Sequence, residues 1–119
     1  MPHITYDMVR EDMPKVIATE GENFIYKTPP ESNGVCQYVS QGKGSCLIGR
    51  YLIRMGVPVA AFVSINNLEV EDVFQGGYLD GYNITADPEA IKAMADIQFL
   101  QDHTHSWGGA YNAVFDTFE

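Results

Sequence analysis

Cys36, Cys46, His103 and His105 are the residues whose types most directly suggest chemistry. Cys46 falls at the expected first position of a helix, where the positive end of the dipole and unpaired N–H groups lower a thiol pKa. With Lys43 close by in sequence, Cys46 is the candidate reactive thiol, set against the commoner fate of a free cysteine, burial as a small hydrophobe. A reducing compartment would keep both cysteines as thiols, although a bridge across the intervening turn is open to them if their Cα atoms come within reach. The same four residues are zinc-ligand types. The cysteines stand ten positions apart, however, and His-x-His is tighter than a structural zinc site uses. No metal and no other cofactor is expected. Asp102, His103 and His105 could support acid–base work, and Cys46 with His103 a nucleophile–base pair, but polar residues in an interhelical turn look the same. Gly42-Lys43-Gly44-Ser45 precedes a helix without the full spacing of a phosphate-binding loop.

The helices that would position these groups can be bounded. Ser45 reads as an N-cap, and Gly56 suits the left-handed position past the helix end, with Pro58 beyond it. Between them Leu47, Ile48, Tyr51, Leu52 and Met55 form one apolar stripe. A second helix starts at Asp87, with Pro88 at its first position, and runs to about Asp102. Ala90, Ile91, Met94, Ala95 and Ile97 share its apolar arc, and Gln98 falls within that arc with Gln101 and Asp102 near it. A buried amide needs a partner, so Gln98 is expected to bond backbone or another polar side chain. Trp107 opens a final helix capped by Ser106, with Ala110, Tyr111, Val114, Phe115 and Phe118 spaced for burial. Near the N-terminus Pro14 interrupts a loosely helical pattern, which predicts a short helix from about Met13 with Asp12 as cap. Residues 24–28 and 35–39 are rich in β-formers and predict a small antiparallel hairpin. Pro58 to Ile65 and Leu68 to Phe74 predict short helical pieces, and Gly76 to Asn83 a loop.

A chain of 119 residues, 45% of them apolar, is expected to fold as one domain over 1–119 with its own core. No apolar run approaches the ~20 residues of a membrane span, and the N-terminus lacks a signal-peptide pattern. A cytoplasmic protein is the expectation. The net charge of −9 is uneven. Residues 1–31 carry −3 and residues 32–68 carry +3, whereas ten acids against Lys92 alone give residues 69–119 a charge of −9. Such a half repels nucleic-acid backbones. The helix–GVP–helix segment from 46 to 65 has a helix-turn-helix turn length but no basic or amide residue in its second half to read bases, so direct nucleic-acid binding is not expected. A basic protein partner would suit the charge, as would solubility alone.

The stretches CxY…SCLIGRxLxxxGVP, DIQFLQD and SWGGA resemble a group of small hypothetical proteins in actinobacteria and their bacteriophages. The likeness covers residues 35–58 and 87–113 and brings no activity with it. It implies a small cytoplasmic accessory protein, encoded by such a bacterium or its phage.

Together these readings predict a helix-rich α+β domain with a short antiparallel β-hairpin near its N-terminal half. The leading functional expectation is a non-enzymatic protein that binds a host or bacterial protein. Its binding surface is expected to be acidic, around Glu69, Glu71, Asp72, Asp80, Asp87 and Glu89, with Tyr78 and Tyr82 as aromatic anchors. A nucleic-acid mimic is a special case. The alternatives are a thiol- or metal-dependent enzyme built on Cys36, Cys46 and His103, and a structural homodimer held by an apolar patch.

Overall fold

The computed structural model describes residues 3–26, 37–40, 43–66, 68–103 and 105–115. Its α-helices are α1 (Tyr6–Ile17), α2 (Leu47–Arg54), α3 (Val70–Gln75), α4 (Pro88–Asp102) and α5 (Trp107–Phe115), with 3-10 turns at Val59–Phe62 and Asp80–Tyr82. Four two-residue strands join them: β1 (His3–Ile4), β2 (Val39–Ser40), β3 (Lys43–Gly44) and β4 (Thr85–Ala86). This is a small helical domain, which corrects the expectation of an α+β fold with a hairpin over 24–28 and 35–39. Residues 24–26 are not a strand. Their backbone turns instead to α5, where the Phe24 carbonyl accepts from Trp107 N–H at 2.9 Å and the Glu22 carbonyl from Gly108 N–H at 2.9 Å. Two first-turn donors of α5 are thereby satisfied, a demand that residue-level β propensity does not register. Thr28, Val35 and Cys36 lie outside the described residues, as does Phe118. The sheet contacts that do form are minimal: β2 meets β3 antiparallel, and β1 meets β4 in parallel.

The element that organises the core is α4, which packs against α1, α2, α3 and α5. Its buried residues Ala90, Ala93, Met94, Ile97, Gln98 and Gln101 fall at i, i+3, i+4, i+7, i+8 and i+11, a single stripe of helical period. The stripe is small at its start, which lets neighbours approach, and polar at its end. Both glutamines are satisfied. Gln98 Oε1 accepts from Val70 N–H at 2.9 Å and its amide donates to Tyr38 Oη at 3.0 Å. Gln101 Oε1 accepts from Leu47 N–H at 2.9 Å and from the Trp107 indole at 3.0 Å.

The N-terminus of α2 shows why such distant caps are needed. Cys46, not Ser45, is its N-cap, and it makes no side-chain capping bond. Ser45 Oγ instead pairs with Tyr26 Oη at 2.8 Å. The far end follows expectation: Gly56 takes φ 106° and Val57 N–H returns to the Leu52 carbonyl at 3.0 Å. Gly49 is demanded by packing, because a Cβ there would stand 2.1 Å from the Tyr38 carbonyl oxygen.

The first helix corrects the sequence reading too. It begins at Tyr6, capped by Thr5 Oγ1 on Met8 N–H at 3.1 Å, and carries Pro14 in its interior. Proline deprives the carbonyl four residues earlier of its donor. That carbonyl, Arg10, accepts from Tyr111 Oη of α5.

Candidate functional site

Val70, the first residue of α3, is bonded to Gln98 near the end of α4, and Gln75 at the other end of α3 shares a recess with Pro88 and Ile91. The two helices therefore run antiparallel. Between them lies a groove of about 270 Å³ with Ala95 and Gln98 on its floor. Glu69 and Glu71 line it from the α3 side, and Asp96, Phe99, Asp102 and His103 from α4. The groove continues into a recess of about 330 Å³ through the shared residues Glu71 and Asp96, with Lys92 on its wall.

The positions on α4 explain how this surface arises. Lys92, Asp96, Phe99 and His103 are spaced i, i+4, i+7 and i+11, the outer stripe opposite the buried one. Lys92 Nζ reaches Asp96 at 3.2 Å, an exposed pair of little energetic weight. Phe99 is 59% exposed, a large apolar surface for an otherwise solvated stripe. Its ring stacks on His103 with centroids 4.0 Å apart and planes at 29°. His103 Nδ1 lies 2.7 Å from the Phe99 carbonyl, which can only accept, so this nitrogen carries the proton. The imidazole is thus fixed as a wall of the groove at the helix end.

The residues expected to form one acidic surface do not all converge. Glu69 and Glu71 enter the groove. Asp72 is exposed on α3, and Tyr78, Asp80 and Tyr82 lie in the exposed turn beyond it. Asp87 and Glu89 sit at the opposite end of α4, roughly 20 Å along its axis from Asp102. There the Asp87 carboxylate is engaged by His3 Nε2 at 2.6 Å, while His3 Nδ1 meets Thr85 Oγ1 at 2.7 Å. Asp87 accordingly makes no side-chain cap on α4. Sequence reasoning missed Asp96, Phe99 and His103 as groove residues. The outer stripe of α4 is the signal that could have found them.

Cys46 does not present a reactive thiol. It is fully buried and disulfide-bonded, and the described residues contain no free cysteine. Cys36 is outside the described residues. Among those described, no three His, Cys, Asp or Glu side chains are grouped to hold a metal ion. No described helix is long and apolar enough to cross a membrane.

Compared with known proteins, the chain matches no family model, no curated protein and no solved structure.

Proposed function

We propose that this protein is a small accessory protein, without catalysis of its own, that binds a basic segment of another protein through the α3–α4 groove. The observation that carries this reading is the meeting of four carboxylates, Glu69, Glu71, Asp96 and Asp102, around the exposed ring of Phe99. Carboxylates of like sign drawn to one concave site attract a cationic partner and speed its encounter. An exposed aromatic at the same place supplies the apolar anchor that interfaces favour. The resemblance to small actinobacterial and phage proteins belongs to the same proposal: it suggests the cellular setting, with a bacterial protein as the target.

The test is an affinity pull-down from bacterial lysate with the purified protein, an E69A/E71A/D96A/D102A variant, and a D80A/E89A control whose changes lie outside the groove. One stoichiometric partner, lost in the groove variant and kept in the control, is expected. Equal capture by the groove variant overturns the reading. A nucleic-acid mimic, the special case, further requires that duplex DNA compete for the same partner.

A further inference from the structure

We propose that Thr85 is an acyl-acceptor site: its hydroxyl, with His3 as base and Asp87 holding the imidazole, takes an acyl group from an activated ester or thioester. This is a single modification of the chain and not turnover, and it lies apart from the α3–α4 groove. The pairing of β1 with β4 creates the arrangement. His3 stands opposite Thr85 in the parallel register, and Ile4 opposite Ala86. Side chains alternate along a strand, so Ile4 enters the core, where it is fully buried, while His3 stays on the outer face with Thr85. Asp87, two residues on from Thr85, returns to that face, and its backbone N–H donates to the Ile4 carbonyl at 2.9 Å. His3 thereby lies between the two, with Nδ1 2.7 Å from Thr85 Oγ1 and Nε2 2.6 Å from Asp87 Oδ1.

The carboxylate can only accept, so Nε2 carries a proton and, in the neutral ring, Nδ1 is left to accept from the Thr85 hydroxyl. A hydroxyl on a base nitrogen, with the base oriented by a third group, is the arrangement that activates an alcohol as a nucleophile. Asp87 forgoes another use for it, since as the N-cap of α4 it makes no side-chain capping bond. Other hydroxyls of the fold are placed differently: Thr5 Oγ1 accepts from Met8 N–H, Thr19 donates to the Val16 carbonyl, and Ser106 Oγ accepts from Gly109 N–H. Thr85 is exposed, and the side chains of His3 and Asp87 are 51% and 38% exposed, so a donor in solution can reach the hydroxyl. In the transfer Thr85 Oγ1 bonds to the acyl carbon while its proton passes to His3 Nδ1. The bond from that carbon to the leaving oxygen or sulfur breaks, and the leaving group departs with the proton from Nδ1. Between these steps the imidazolium is faced by the Asp87 carboxylate.

The test treats the full chain with p-nitrophenyl acetate and locates the acetyl groups by peptide mass mapping. Thr85 is expected to be acetylated about a hundredfold faster than Thr5, Thr19 or Ser106, and H3Q to bring it down to their rate. Nitrogen NMR of the native protein in mildly alkaline buffer is expected to show His3 with its proton on Nε2 and a bare Nδ1. A rate at Thr85 no higher than at those three hydroxyls, an excess that survives in H3Q, or a His3 proton on Nδ1 in that buffer overturns the inference. His3 is exposed, so H3Q should keep its fold, and the comparison of hydroxyls within the native protein decides independently of it.

Discussion

Gln98 and Gln101, three residues apart on α4, each place a side-chain oxygen on the first N–H of a different helix. Gln98 caps α3, whose N-cap residue Glu69 makes no capping bond, and Gln101 caps α2, whose N-cap is Cys46. One helix thus completes the N-termini of two others, and its C-terminal half fixes where they start. The groove is a product of the same contact, because Gln98 forms its floor while holding Val70, next to Glu69.

Loss of either amide leaves buried donors without acceptors. Gln98→Leu strands the Val70 N–H and should cost about 1–3 kcal/mol. Gln101→Leu strands both the Leu47 N–H and the Trp107 indole and should cost roughly twice as much. Urea titration checks both values. A Gln101→Leu midpoint equal to that of the native protein would dismiss the capping account.

Pro14 and Tyr111 form a second such pair. The hydroxyl of Tyr111 occupies the Arg10 carbonyl that the proline cannot serve. Tyr111→Phe should therefore destabilise by about 1 kcal/mol in the native background. In a Pro14→Ala background the restored N–H of residue 14 competes for the same carbonyl, and the effect should shrink to a few tenths. A full-sized effect of Tyr111→Phe in both backgrounds would show that the hydroxyl does not substitute for the missing donor.

How much of this was legible depended on how local the cause was. The course of α4 could be read from Asp87, Pro88 and the spacing of Ala90, Met94 and Ile97, because caps and periodicity act within one helix. Gln98 was legible as a residue needing a partner, since a polar side chain within an apolar stripe states that need. Its partners, Val70 and Tyr38, were not, being 28 and 60 residues away. Pro14 was misread because the donor that rescues its helix is on α5. The segment at Phe24 read as strand because its residue types favour extended backbone, while its actual hydrogen bonds go to α5. The site was half legible: Glu69 and Glu71 stood out as charges, but Phe99, which lies off the apolar arc of α4, drew no expectation, because an exposed aromatic shows its use only beside the neighbours that the fold brings to it.

Tyr38 and Tyr51 are both fully buried, yet they should respond oppositely to loss of the hydroxyl. Tyr38 Oη donates to the Leu68 carbonyl at 2.6 Å and accepts from Gln98. Tyr51 Oη is buried with no hydrogen-bond partner among the described residues. Tyr38→Phe should cost about 1–3 kcal/mol, whereas Tyr51→Phe should be neutral or stabilising, because an unsatisfied buried hydroxyl is removed. Melting temperatures of the two variants make the comparison. A loss in Tyr51→Phe as large as in Tyr38→Phe would mean that Tyr51 has a partner after all.

Those same rings set the response to alkali. Burial, the largest cause in each case, pushes the Tyr26, Tyr38 and Tyr51 hydroxyls above the ordinary tyrosine range. The folded chain therefore keeps these protons at pH values where the unfolded chain, titrating near pH 10, has released them. Fewer protons bound in the unfolded state means that stability falls as pH rises through the range above the unfolded tyrosine value. The contribution is intact below about pH 10 and is lost above it. Unfolding should be cooperative and steep there, with tyrosinate absorbance from these residues rising together with loss of helical circular dichroism. Gradual tyrosinate formation with the helical signal unchanged would show that the buried hydroxyls ionise in the native fold and that burial does not hold them neutral.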